Sequence, residues 1–589
     1  METIEAKILL RNLLKRIKPQ DDSTHVLPGV LTDDEIEALQ FALQSLEGSE
    51  IRPLTVEPQT PAISPAPAVA SKGPIPAVPP EEPNEPDSVA EPQIVGPTKQ
   101  KNRIDLDLSS LSAGSPPKDV RLCLDFGTAM SKATLVQDDE DDDSEEINVL
   151  HLGVPGDQEE ISEVMLVSSI FIDKSGLMWF GKAAVEMSLL EGGDGSRQRI
   201  DNIKRRLSEE GWNEKVDQRL NPIADLEITY GDMVLAYLMF LTWAVNSCLE
   251  QMGHPRNLSR RFAMPCLVGE KGRETVRRLK RAIGEAQVLA DTFRTTFKNG
   301  IALEDFLAAV AELRKQQRDY YFVAEDLTEP IGVAGSIVSW KSRVDTLMLV
   351  VDIGAGTSDL SLYRIHIDPD TGKNVAMEVE GSSRGITEAG NHLDRILIEL
   401  IIKKSGLTSD NPMWINERSA LELRIRDYKE SLFNDEYVYV TLMNGAEVEI
   451  ELREFLQHNA VVGFGNNLRK AMVDILESVD ASVINWILAN PTRKLAIALT
   501  GGGAELPMVT ELAKGSILVN GHEIPVVRSR QFPAWLRDLD ENLEADYPRV
   551  AVSLGGARRR LIKQGDPLRI TAGDGTQAPR LGGYYQKGN

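Results

Sequence analysis

Positive charge is scarce in this chain. Its 589 residues carry 65 Lys and Arg against 90 Asp and Glu, a formal net charge of −25. A broad nucleic-acid footprint needs clustered cations, so this balance speaks against nucleic acid as a partner and favours solubility. Cysteine is scarcer still. The three residues, Cys123, Cys248 and Cys266, have no C-x-x-C spacing. Neither a disulfide framework nor a zinc site is expected, and a reducing cytoplasm is the simplest compartment. A secretory leader is not expected either, because residues 1–17 include Glu2 and Glu5 and offer no small-residue cleavage site. No apolar run reaches the roughly 20 residues of a spanning helix. "MVLAYLMFLTWAVNSCL" (233–249) comes nearest but contains Thr242, Asn246 and Ser247. It reads as a buried core helix, with a membrane segment or an apolar docking face as alternatives. Repeats at the short periods of solenoids are missing.

What is present is a long chain of ordinary globular composition, 42% hydrophobic and 26% charged, so several domains are expected. Ile4, Ile8, Leu13 and Ile17 recur beside Lys7, Arg11, Lys15 and Arg16, an amphipathic, net-basic pattern. Thr32 and Glu35 form a capping box ahead of Ile36, Leu39, Leu43 and Leu46. A helical N-terminal segment over 1–50 is therefore expected. Its helices pack on each other or meet a protein partner, and 1–17 could touch a membrane surface. Residues 51–118 are rich in Pro, Ala and Glu and read as a disordered linker. Over 119–562 strand-like runs alternate with amphipathic helical runs, which argues an α/β domain. An acidic stretch over 138–146 interrupts the first hairpin and reads as a solvated loop, with cation binding as the alternative. Residues 563–589 look irregular.

Three glycine-bearing elements carry the chemistry. In "VRLCLDFGTAMSKATLV" (120–136) an apolar strand ends in Asp125, and Gly127 and Thr128 turn the chain into a second strand. "LMLVVDIGAGTSDLSLYRI" (347–365) repeats that design with Asp352, Gly354, Gly356, Thr357 and Asp359. Each places a carboxylate beside a turn of backbone N–H groups and hydroxyls, which suits a polyphosphate with a divalent cation. "LAIALTGGGAELPMVTEL" (495–512) is a buried strand, then Gly501, Gly502 and Gly503, then a helix start. Glycines there let backbone approach a flat ligand. One copy would be a hairpin by default, whereas two copies suggest two similar lobes facing one ligand.

In order, these elements resemble the phosphate 1, phosphate 2 and adenosine motifs of the actin, sugar-kinase and 70-kDa heat-shock chaperone ATPase superfamily. "VSSIFIDKSGLMWFGKAA", "NIKRRL", "SRRFAMP", "EDLTEPIGVAG", "ITEAGNHLD" and "DYPRVAVSLGGA" are similar to further segments of the chaperone branch. The resemblance implies a two-lobed actin-like ATPase fold of duplicated ribonuclease-H-like lobes over 119–562, with ATP or ADP and Mg²⁺ as cofactors. It implies that Asp125 and Asp352 hold Mg²⁺ through water. Gly127, Thr128, Ala129 and Lys132 would grip phosphates from one side, and Gly354, Gly356, Thr357 and Asp359 from the other. Gly390 would form a further phosphate turn. Gly501, Gly502 and Gly503, with Lys429 and Glu430, would serve the adenosine. Glu329 would orient the attacking water, Lys204 would offset charge on the transferred phosphoryl group, and Asp352 and Thr357 would complete the catalytic set.

The chain also departs from the chaperones. "DFGTAMSKA" and "RIRDYKESL" are closer to actin, the phosphate turn is Ala389-Gly390, and the positions of the two adenine-holding arginines carry Glu430 and Glu505. The stretch after 562 is shorter than the about 40 residues a small domain needs, so a peptide-clamping module is not expected there. The implied function is a chaperone-like ATP-hydrolysing switch read by a protein partner, with the N-terminal helices as its docking element. The alternatives are an actin-like filament-forming ATPase, a small-molecule kinase without a visible catalytic base, and a pseudo-ATPase. The last is opposed by Asp125, Glu329 and Asp352.

Overall fold

A computed structural model of the chain describes residues 104–563, apart from 140–143, 156–162, 208–210, 267–268, 317–319, 531 and 538–540. Before residue 104 it describes only the strands Lys18–Pro19 and His25–Val26, which pair antiparallel. The chain divides into two compact units, Met1–Gly96 and Pro97–Asn589. The helices expected over 1–17 and after Thr32, and most of the linker and the tail, lie outside the described residues.

Five main strands build the first sheet: β1 (Val120–Asp125), β2 (Met130–Asp138), β3 (Glu145–Val149), β4 (Arg260–Met264) and β5 (Val323–Thr328). Their order is β5-β4-β1-β2-β3. The first three form an antiparallel meander, and β4 and β5 add in parallel on the other side of β1. The second sheet is built from β6 (Val344–Ile353), β7 (Ser358–Asp368), β8 (Lys373–Glu378), β9 (Leu495–Thr500) and β10 (His522–Arg528). Their order is β8-β7-β6-β9-β10, again a meander of three with two parallel additions beside the first strand, and Ser516–Val519 adds an antiparallel edge strand beyond β10. The protein is thus a mixed α/β molecule in which one strand topology occurs twice. The central strands β1 and β6 are buried on both faces and read as nearly continuous apolar runs, as parallel neighbours require.

Helices cover these sheets. The run over 233–249 belongs to α1 (Tyr230–Gln251), which Thr229 and Asp232 start with a reciprocal capping box. α1 is long and apolar enough to cross a membrane, but 89% of its apolar window is buried inside the protein. Its Tyr237 stacks on Phe126 and its Phe240 on Phe180. With α2 (Gly269–Thr292) it closes the first core. Two more helices, α3 (Glu329–Ile337) and a later one, contribute to a core that holds residues of both sheets. The second core lies under α4 (Gly390–Ser405), α5 (Trp414–Asp435) and α6 (Asn459–Ser478). The last helix, α7 (Tyr547–Ala557), is the partner of α3. Their backbones meet directly: a Cβ at Gly555 would overlap the Gly332 carbonyl oxygen. Ser336 and Tyr547 hydroxyls share a hydrogen bond of 2.7 Å across the same contact.

The end of the expected linker is docked. Ile104, Leu106, Leu108 and Leu111 pack against the first core. Ser110 Oγ donates to Asp291 Oδ2 at 2.5 Å, and the Asp107 N–H donates to Thr292 Oγ1 at 3.0 Å. The linker boundary expected at 118 is therefore too late, because the apolar residues from Ile104 onward find a complementary core face. The acidic stretch also differs from expectation. It joins β2 to β3 rather than interrupting the first hairpin, and its ends are ion-paired. Asp138 accepts from Arg121 at 2.5 and 2.9 Å, and Glu145 from Arg558 at 2.8 Å. Arg121 and Arg261 also donate to the carbonyls of Ala557 and Gly556, at 3.2 and 3.1 Å. Cations at these last carbonyls complement the negative end of α7.

Candidate functional site

β1 and β6 occupy equivalent places, and each ends in an aspartate. Asp125 lies opposite Lys132 in the β1–β2 register, and Asp352 lies opposite Asp359 in the β6–β7 register. Lys132 Nζ is 3.2 Å from Asp125 Oδ2. The turn with Gly127, Thr128 and Ala129 follows β1. The turn with Gly354, Gly356 and Thr357 follows β6 and is closed by the Gly354 N–H donating to the Thr357 carbonyl at 3.0 Å. The two turns meet. A Cβ on Gly356 would lie 2.6 Å from Thr128 Oγ1, so only glycine allows this approach.

The third element packs on the same strand end. Gly501, at φ +80°, lies against the Asp352 carboxylate, and its N–H donates to the Pro548 carbonyl at 2.9 Å. The Gly503 N–H donates to the Ile353 carbonyl at 3.0 Å, while Gly502 faces open space. The start of α4 caps the second turn: Gly390 and Asn391 N–H groups donate to the carbonyls of Gly354 and Ala355, at 3.1 and 2.7 Å.

Four carboxylates and two lysines gather here. Lys204, on the 3₁₀ turn Ile203–Leu207, is ion-paired with Glu329, the first residue of α3. Asp125, Lys204, Glu329, Asp352 and Asp359 are all buried. Burial pushes the Glu329 carboxyl up to about 7, against the pull of Lys204 and with help from Asp359 and Asp125. Burial also raises Asp352 well above the carboxylate range, and the charges of Glu329, Asp359 and Asp125 add to it. Asp359 is raised by burial as well, although the Cys266 N–H donates to its Oδ1 at 2.9 Å. Burial alone would lower the Lys204 ammonium, but Glu329 and Asp125 outweigh it and hold the group above its usual value. The asymmetry has a simple cause. Lys204 is stabilised by Glu329, Asp125 and Asp359, whereas burial, and at Glu329 and Asp352 the neighbouring carboxylates as well, disfavours the charged carboxylates. Asp359 Oδ2 makes no hydrogen bond to the protein.

The expected adenosine residues are less involved. Lys429 on α5 pairs with Asp394 at 2.5 Å and reaches the Gly390 carbonyl only at 3.5 Å. Glu430 is exposed, and no hydrogen bond ties it to the three turns. Glu505 pairs with Arg528 at 2.5 Å. A groove of about 420 Å³ lies elsewhere, between α6 and the short helix Pro507–Thr510.

Several supporting residues escaped the sequence reading. Asn391 Nδ2 donates to Asn202 Oδ1 at 2.8 Å, joining the α4 start to the turn that carries Lys204. Ser168 Oγ donates to the Gly127 carbonyl at 2.9 Å and contacts the Tyr237 hydroxyl at 3.0 Å, which fixes the first turn from behind. No local pattern marks such partners. Only the neighbourhood of "NIKRRL" and "EAGNHLD" hinted at the two asparagines.

Among the described residues, no group of three or more His, Cys, Asp or Glu side chains is arranged to ligate a metal directly. No family model matches the chain, and no curated protein matches it in sequence.

Proposed function

We propose that this protein is an ATP-binding and ATP-hydrolysing switch on a two-lobed actin-like fold, nearest the 70-kDa heat-shock chaperone branch, whose closure is read by a protein partner. The observation that carries this reading is the convergence of two turns, from equivalent ends of two sheets of one topology, on a shared set of carboxylates. The third, glycine-rich turn supports it by packing on Asp352, and the backbone contact of α3 with α7 supports a joint between two such halves.

The residues fit a hydrated divalent cation with a polyphosphate. The site has more carboxylates than cations, burial raises Glu329, Asp352 and Asp359, with neighbouring carboxylate charge adding to it at Glu329 and Asp352, and Asp359 Oδ2 is free to accept a bond. Asp125 and Asp352 would hold the cation through its water shell, and Lys132 and the N–H groups of both turns would bind phosphate oxygens. The cation, when bound, supplies the positive charge that spreads over the phosphates. Glu329, with its affinity for protons matched to neutral pH, is suited to take a proton from water. Lys204 stays charged beside it and would stabilise negative charge as it develops.

The test uses the full chain. Isothermal titration with Mg²⁺ and ATP should give saturable binding, and phosphate release should show slow turnover. Asp352→Asn should abolish turnover. Parent-like hydrolysis in Asp352→Asn overturns the site assignment, and no ATP binding at all overturns the function.

A further inference from the structure

Beyond α5 the chain forms a two-stranded hairpin, Tyr437–Thr441 with Glu447–Glu451. One face packs Val438, Val440, Val448 and Ile450 into the second core. The opposite face carries Tyr437 and Tyr439, 47% and 63% exposed, with rings edge-to-face at 5.3 Å. Across the strand pair they face Glu451 and Glu449, and Thr441 faces Glu447. The charge of Glu449 holds the Tyr439 hydroxyl above its usual range. None of these three glutamates has an ion pair among the described residues. The nearby Lys404 is turned to Glu454 at 2.6 Å and to the Glu449 carbonyl at 2.9 Å.

The face is held in place. Buried Glu417 accepts from the Met443 and Asn444 N–H groups at the hairpin tip, both at 3.1 Å. The Leu452 N–H donates to the carbonyl of Glu436, which closes the other end at a positive φ of 67°. A rigid surface of this kind loses little entropy on binding.

We propose that this tyrosine–glutamate face docks an extended, basic segment of a partner protein. Same-face residues of a strand recur about every 7 Å, and alternate side chains of an extended partner have the same period. Arginine or lysine at those alternate positions would lie over the tyrosine rings and beside the carboxylates, combining cation–π contact with charge pairing. Three unpaired carboxylates repel phosphate, so neither nucleic acid nor an anionic lipid surface fits.

The probe is a fluorescent octapeptide of alternating arginine and serine, compared with a peptide of the same composition in two blocks. Anisotropy at one fixed salt concentration reads binding to the full chain without nucleotide. The alternating peptide should bind more tightly than the block peptide. Tyr439→Ser and Glu449→Gln should each weaken it about threefold. Glu523→Gln, an equal charge change on an exposed residue of β10, should leave it unaltered. Equal binding by all variants, or no binding, overturns the proposal. So does concentration-dependent self-association that Tyr439→Ser abolishes in sedimentation velocity, since the face would then belong to a second copy.

Discussion

Glu329 makes the stability of the ligand-free protein depend on pH in a calculable way. Its carboxyl is raised from an ordinary 4.5 to about 7 by burial and by Asp359 and Asp125. At 1.36 kcal/mol per pH unit the difference is worth about 3 kcal/mol. The sign follows from proton counting. Between these values the folded protein holds a proton that the unfolded chain has lost. The contribution is complete below about 4.5 and is lost as pH rises through about 7. Asp352 and Asp359 are raised too and act in the same direction. The raised Lys204 keeps its contribution through neutral pH and loses it only in alkaline solution. Urea unfolding of the full chain without nucleotide, followed at several values from pH 5 to pH 8, should show stability falling by about 3 kcal/mol or more across that range. Glu329→Gln removes one titrating group and the leading neighbouring charge that adds to the rise of Asp352. The variant should therefore lose less stability than the parent over the same range. Parallel curves for variant and parent would refute the assignment of this titration to Glu329.

Other outcomes follow from the same geometry. Lys204→Met leaves Glu329 buried without its cation and should cost about 3–5 kcal/mol at neutral pH. Adding Glu329→Gln should recover part of the loss in a double-mutant cycle read by thermal unfolding. Gly555→Ala forces α7 off Gly332 and should destabilise by about 1–3 kcal/mol. Gly356→Ala presses on Thr128 at 2.6 Å and should weaken nucleotide binding in titration calorimetry, with partial recovery when Thr128→Ala is added. Ser110→Ala removes a donor from buried Asp291 and should cost about 1 kcal/mol in chemical unfolding.

Much of the site could be read from the sequence because its parts are local. Asp125 with Lys132, and Asp352 with Asp359, sit in hairpins only a few residues long, where strand alternation and glycine position are visible. The glycines over 501–503 follow an apolar strand in the same way. What could not be read depends on distant pairing. Arg260 lies in "SRRFAMP" beside Arg261, yet Arg260 is buried and donates to Asn246 at 2.9 Å and Gln287 at 2.7 Å. Two adjacent arginines on a strand point to opposite faces, and only the packed helices decide which face is inside. The docked segment from Ile104 was hidden for a related reason. Its apolar residues are too few to fold alone and are held by partners that include Asp291 and Thr292, more than a hundred residues away.

The charge balance of the site bears on how a switch of the proposed kind would be set. Asp125, Glu329, Asp352 and Asp359 gather around Lys132 and Lys204, and burial, with neighbouring carboxylate charge at Glu329 and Asp352, raises the carboxyls of Glu329, Asp352 and Asp359. A triphosphate would meet a site already short of positive charge, so it should bind poorly without a divalent cation. The same shortage gives a cation its own affinity, because neutralising Asp125 and Asp352 relieves strain that burial created. Removing protons from Glu329 and Asp352 sharpens the deficit, so cation binding should strengthen as pH rises through about 7, while stability without the cation falls. The two trends are opposite faces of one linkage. The pair of turns joined at Gly356 and Thr128 is held together by packing, and in a switch of the proposed kind a bound cation would add charge that favours closure.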